Sequence, residues 1–181
     1  PVSEVIREAA EPHLDRGVEI IFELNLKSKE DISQPVIQRL PEIIHGLRNM
    51  IQNAIDFADS KVWIILSWSQ SNIKIIINDD GPGFPVQMIS RIGDPFVSYR
   101  KTSSVRSKQI EYEGMGLGLF IAKTLLERTN AKLSFSNGVS GSVDGLGNEG
   151  QVGAVVEISW ARSDIERKIN LSGENENLNV F

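Results

Sequence analysis

The sequence predicts an α+β fold, a two-layer sandwich with helices covering one face of a sheet. Two patterns carry this. Residues 40–58 place Ile43, Ile44, Leu47, Met50, Ile51, Ala54 and Ile55 at i, i+3, i+4, i+7 spacing, the signature of an amphipathic helix. Directly after it, Val62–Ser69 and Ile73–Asn78 are runs rich in β-branched residues, separated by Gln70-Ser71-Asn72, which reads as a hairpin. A later helix over 117–129 and strands over 131–136 and 152–160 complete the order α-β-α-β-β-lid-α-β-β.

Each element has a local reason. Ser3–Leu14 is a short helix with Ser3 as the expected N-cap; Val5, Ile6, Ala9 and Ala10 share a face, and Gly17 ends it. Val18–Leu26 is a strand and Lys27–Asp31 a polar turn. Pro41 suits the first turn of the long helix. Residues 85–113 are polar, with Arg100, Lys101, Arg106 and Lys108 in their middle and a short helix expected at Met88–Ile92. A stretch of that length without firm structure reads as a functional loop or lid. Gly138–Gly150 holds five glycines in thirteen residues and must be a loop. The expected domain covers 1–160. Residues 161–181 form a polar tail, a helical stub at its start. Trp63 and Trp68 are sheet residues, and Trp160 ends a strand.

Composition narrows the function. The chain has 181 residues, 40% hydrophobic and 24% charged, so it can bury one real core. Nineteen basic against 24 acidic residues give a net charge of −5, which argues against a nucleic-acid binder. There is no cysteine, hence no disulfide, thiolate metal site or cysteine nucleophile in this chain. No apolar run approaches the ~20 residues of a membrane span, and Pro1–Ala10 lacks the core of a signal peptide. The opening residues read as part of a longer protein, whose other part could hold an anchor.

Three segments carry chemistry. Asn49 and Asn53 stand one turn apart on the long helix, although Asn is a poor helix-interior residue. Four residues set them about 6 Å apart along the axis on one face. They are either solvated amides or amide oxygens aimed at a metal or polar ligand; hard Mg²⁺ accepts such oxygens together with phosphates and water. Asp79-Asp80-Gly81-Pro82-Gly83-Phe84 follows a strand directly. It is an ordinary turn, or a carboxylate placed at a strand end to accept from the exocyclic amine of a base. Gly114-Met115-Gly116-Leu117-Gly118-Leu119 opens a helix, and free N–H groups there make an anion site; the other reading is a glycine hinge. It is neither a Walker A nor a dinucleotide-binding motif. Taken together, the three segments and the loop describe a nucleotide site with base recognition, phosphate cradle and lid.

On these residues the chain resembles the ATP-binding catalytic domain of bacterial sensor histidine kinases, of the Bergerat or GHKL fold. The N-box is matched by His45–Ala54, the G1 box by Asp79–Phe84, the F-box by Asp94–Lys101 and the G2 box by Gly114–Leu119; Gly150-Gln-Val-Gly153-Ala154 suggests a weaker G3 box. The resemblance runs from about Ser3 to Trp160. Within the family, Gln52–Ala58 and Asp94–Ser98 most resemble the redox-responsive RegB/PrrB type. It implies a mixed, mostly antiparallel sheet covered on one face by helices. It implies ATP or ADP with Mg²⁺ as ligands: Asn53 on the metal, Asn49 at the phosphate–metal region, and Asp79 accepting from the adenine amine. Gly81, Gly83 and Phe84 would shape the adenine pocket, Phe57 would pack near the base, and Gly114, Gly116, Leu117, Gly118 and Leu119 would bring N–H groups to the phosphates. Arg100 or Lys101 would supply charge from the lid. It also implies partners, a dimerisation and phosphoacceptor helix hairpin and a response regulator downstream, with no nucleic acid and no membrane contact by this domain. The domain would be cytoplasmic and its parent anchored in the inner membrane.

The departures are informative. Asp56 stands where many of these kinases carry Lys or Arg, and Met115 and Ala154 stand where Thr is common. Hydrolytic relatives hold a Glu where Asn49 sits, and Asn cannot take a proton from water; the γ-phosphoryl would therefore be kept for transfer to histidine. His13 is expected at the surface. His45, on the N-box helix, is either structural or near the phosphates. Neither lies in a phosphoacceptor segment, so the acceptor would lie elsewhere. The competing readings are a degenerate nucleotide-binding module that acts as a protein-interaction surface, and a serine kinase or ATPase of the same fold.

Overall fold

Alternation decides which face of the sheet is buried. Val62, Ile64 and Leu66, then Ile73, Ile75 and Ile77, then Val156, Ile158 and Trp160 are all buried, while their odd-register neighbours are more exposed. The computed structural model describes residues 1–25, 32–94, 117–138 and 153–167. Its elements are α1 (Val2–Ala10), β1 (Glu19–Leu24), α2 (Pro41–Phe57), β2 (Lys61–Trp68), β3 (Asn72–Asp79), α3 (Leu117–Glu127), β4 (Lys132–Asn137), β5 (Ala154–Ala161) and α4 (Arg162–Ile165), with 3₁₀ segments at Glu11–His13 and Val86–Arg91.

The five strands run β1-β2-β3-β5-β4. β1 and β2 are parallel, joined through α2, and every other pair is antiparallel. This is the mixed, mostly antiparallel sheet of the expected α+β sandwich. The apolar stripe of α2 (Ile43, Leu47, Met50, Ile51) is buried, together with Ala122 and Leu126 of α3. Each fully buried aliphatic side chain there contributes about 1.5–3 kcal/mol relative to exposure. Trp160 donates its indole N–H to Thr129 Oγ1 at 2.9 Å, and Thr129 donates in turn to the Leu126 carbonyl at 2.6 Å. That chain satisfies a buried donor and ties the end of α3 to β5. Past Ala161 the backbone continues into α4, where Ile165 is 2% exposed and Glu166 bridges Ile37.

Two local expectations are corrected. Ser3 is not an N-cap: Pro1 holds that position, no side chain caps the helix, and Ser3 Oγ donates to Gln34 instead. Val2 N–H is already bonded to the Pro35 carbonyl at 3.0 Å, so one of the donors a cap would serve is met. His13 is not at the surface but 5% exposed. Pro12 cannot donate an i−4 bond, so α1 gives way to the 3₁₀ turn, and that turn carries His13 inward. Burial, and then the Arg16 and Arg48 cations, lower its pKa against the opposing pull of Asp56.

Candidate nucleotide-binding site

The adjacent carboxylates at the end of β3 have opposite fates. Successive side chains of a strand point to opposite faces. Asp79 turns inward and is 2% exposed. Its Oδ1 accepts from Gly81 N–H at 2.9 Å and from Ala154 N–H on β5 at 3.2 Å. Burial pushes its pKa up; the two N–H bonds work against that shift. Asp80 faces the α2–β2 turn and accepts from the N–H groups of Asp59 (2.8 Å), Ser60 (2.9 Å) and Lys61 (3.0 Å), and from the Ser60 hydroxyl at 2.5 Å. Desolvation raises its pKa, but those hydrogen bonds outweigh it and hold the group at about 2. Asp79 is thus a buried acceptor at the start of the glycine turn, and Asp80 is a fastener between two loops.

The backbone around Asp79 leaves no room for side chains. Gly153 has φ +144, and a Cβ there would lie 1.9 Å from the Asp79 carbonyl oxygen. Gly83 has φ +75, and its Cβ position is filled by the Asn137 amide at 2.8 Å. Gly81 packs against the Phe57 carbonyl, which brings the end of α2 to the turn. Phe57 itself is half-buried. Phe84 packs edge-on against Phe135, ring centroids 6.1 Å apart.

The two asparagines of α2 are brought to the start of α3. Asn53 Nδ2 donates to the Asn49 carbonyl at 2.7 Å, one turn back. A carbonyl only accepts, so the amide must present its nitrogen there, which leaves Oδ1 for another partner. A Cβ on Gly118 would lie 3.4 Å from Asn53 Nδ2, so the first turn of α3, Leu117–Leu119, sits beside this amide. Asn49 and Asn53 are both half-buried. A neutral amide oxygen beside a helix N-terminus suits a hard cation that also takes phosphate oxygens and water. Among the described residues no group of three or more His, Asp or Glu side chains could cage a metal by itself.

The remaining expected residues divide in two. Gly114, Gly116, Arg100 and Lys101 lie outside the described residues, as does the F-box beyond Asp94 and the lid beyond 94. His45 is exposed on α2. Asp56, which stands where a cation is common, pairs with Arg16 at 3.2 Å and accepts from Gln52. Asp80 and Gly153 were expected only as members of the G1 and G3 boxes, with no role of their own, and Asn137 was not expected at the site. Asn137 carried a usable signal: it is a polar residue continuing the alternation Leu133, Phe135 on β4.

Residues 39–163 match the family described as histidine kinase-, DNA gyrase B- and HSP90-like ATPase. The chain belongs to that ATPase family. It is 53% identical over 160 residues to the sensor histidine kinase RegB of Cereibacter sphaeroides, covering 88% of this chain and 35% of that protein. It is 29% identical over 100 residues to the C4-dicarboxylate transport sensor protein DctB of Pseudomonas aeruginosa, covering 52% of this chain and 15% of the relative. The chain thus spans about a third of the RegB length. The fold is shared with the mycobacterial sensor histidine kinase MprB (TM-score 0.61, 22% identity, 88% of this chain and 95% of that one). It is shared too with the catalytic domain of histidine kinase ThkA (TM-score 0.62, 20% identity, 88% and 93%). The RegB-type likeness read from residues 52–58 and 94–98 agrees with the 53% identity. No described helix is long and apolar enough to cross a membrane.

Proposed function

We propose that this chain is the ATP-binding catalytic domain of a two-component sensor histidine kinase. It transfers the γ-phosphoryl of ATP to a histidine on a dimerisation helix hairpin, from which it passes to an aspartate of a response regulator. The observation that carries the reading is the buried Asp79 carboxylate, held at a strand end by two backbone N–H groups and bordered by the turn to Phe84. Asp79 Oδ1 is occupied by those bonds, and Oδ2 would accept the exocyclic amine of adenine. Base specificity follows from burial: a base presenting a carbonyl there would face an acceptor with an acceptor, leaving both unpaired.

At the other end, Asn53 Oδ1 would hold Mg²⁺, which supplies neutralisation of phosphate charge when bound. Asn49 would orient the phosphate–metal region, and the N–H groups at the start of α3, with Gly114 and Gly116 before it, would hold phosphate oxygens. Arg100 and Lys101 would add charge from the lid. Asn49 has no basic atom to deprotonate water, so this site positions a phosphoryl group and does not activate a hydrolytic water. The domain is proposed to work on the cytoplasmic side of a membrane-anchored parent.

The test is phosphoryl transfer. The chain is mixed with a separate helix-hairpin fragment of a RegB-type kinase carrying its acceptor histidine, Mg²⁺ and γ-labelled ATP. Acid-labile, base-stable label on the hairpin is expected. Acid-stable label would point to a serine kinase, and nucleotide binding without any transfer to an interaction module.

A further inference from the structure

We infer that Asn137 is a positioning residue of the nucleotide pocket, setting the path of the backbone between the Asp79 acceptor and the root of the lid. The inference rests on the reading of Asp79–Phe84 as the base-binding turn and adds a residue to it. Asn137 is the last residue of β4, 53 positions from the turn in sequence. Its Oδ1 accepts from Phe84 N–H at 2.7 Å, and its Nδ2 donates to the Phe84 carbonyl at 2.7 Å. One planar amide thus closes a two-bond ring on one residue's backbone, which fixes both position and orientation of that peptide.

The sheet register explains why this place matters. Asn137 pairs with Ala154 of β5, and Ala154 N–H donates to Asp79 on β3. Asp79, Ala154 and Asn137 therefore form one row across three strands. Adjacent strands lie about 4.8 Å apart, so the turn must span roughly 10 Å from β3 to β4 over the end of β5. Its start is fixed by Gly81 N–H on Asp79, and its end is fixed by Asn137 on Phe84. Gly83 lies against the same amide, so the clamp also fills the space that a side chain at 83 would take. Without it the turn keeps its anchors near β3, at Gly81 and Asp80, and loses the one at its far end.

The experiment uses this chain with Mg²⁺–ADP as the probe. Wild type, Asn137→Ala, Asn137→Asp and the control Ser134→Ala are compared by calorimetric titration, thermal melting and amide hydrogen exchange. Ser134 is exposed on the same strand. In Asn137→Ala the Phe84 amide is expected to exchange at least tenfold faster while the Ile75 and Ile77 amides hold their wild-type rates. The ADP dissociation constant is expected to rise at least fivefold, at a temperature where the variant is fully folded. Asn137→Asp keeps the acceptor for Phe84 N–H and loses the donor, so it should fall between; Ser134→Ala should match wild type. Affinity within twofold of wild type in Asn137→Ala, or loss of fold in both Asn137 variants, would overturn the assignment. If wild type itself fails to bind ADP, the base-binding reading of the turn fails first, and the exchange data then report the clamp alone.

Discussion

Among the described residues, the proposed base end and the proposed phosphate end of this site are built in different ways. At the base end, hydrogen bonds between backbone and side chain tie Gly81 and Ala154 to Asp79, Phe84 to Asn137, and the Asp59–Lys61 turn to Asp80. At the phosphate end, Asn49 and Asn53 stand on one helix and meet the start of another, and the hydrogen bond described there runs within α2. Among the described residues the first end is organised by its own hydrogen bonds; the second presents amides that, on the proposed reading, a metal and phosphates would complete. Preorganisation of an acceptor lowers the ordering penalty on binding. The base end should therefore set affinity and selectivity, and the phosphate end should depend on the ion.

The largest expected effect falls on the backbone of the base end. Gly153→Ala puts a Cβ against the Asp79 carbonyl at a φ that L-residues rarely adopt. A destabilisation of about 3 kcal/mol is expected, read by urea melting, together with loss of ADP binding at 25 °C. Wild-type stability in that variant would break the claim that the two strands meet this tightly.

Asn53→Ala tests the phosphate end. ADP binding should weaken about tenfold in Mg²⁺, or ~1.4 kcal/mol, and stay at the wild-type level with EDTA present. Equal weakening in both conditions would mean that Asn53 supports the helix and not the ion.

The adjacent aspartates give opposite signs with pH. Asp80 is held at about 2 against an ordinary 3.8. It binds fewer protons folded than unfolded, so its contribution is complete above about pH 4 and lost as pH falls toward 2. Asp79 is raised, so it favours the folded state while protonated, and stability declines as pH climbs from its ordinary value through its raised one. Urea melts from pH 2 to 6 should show a flatter acid limb for Asp80→Asn than for wild type. An unchanged limb would remove Asp80 as the fastener of the α2–β2 turn. The smallest effect belongs to Arg16→Ala, which breaks an ion pair whose side chains are 47% and 52% exposed; about 0–1 kcal/mol is expected by thermal melting.

The same contrast governs what the sequence made legible. Helix and strand periodicity gave the two layers, because α2 and β2–β3 bury regular apolar sets. The Asp79 turn and the asparagine pair were readable because rare residue types sit at fixed spacing in short segments. Asn137 and Gly153 act on that turn across 53 and 74 positions of chain, and nothing local marks Asn137 beyond a polar residue in an apolar alternation. His13 was placed outside because composition says nothing of the 3₁₀ turn that Pro12 imposes. Asp80 was given no role of its own, since a sequence shows adjacency and not the strand pleat that separates it from Asp79.

The most direct measurement is a calorimetric titration of Mg²⁺–ADP into wild type and Asp79→Asn, with the thermal stability of both. Asn at 79 keeps the Oδ1 acceptor for Gly81 and Ala154, removes the buried charge and turns the other position into a donor. Wild type should bind near 1 μM, about −8 kcal/mol. The variant should melt no lower than wild type at neutral pH and bind at least 100-fold more weakly, about 2.7 kcal/mol. A stable Asp79→Asn that binds ADP within threefold of wild type would contradict the account.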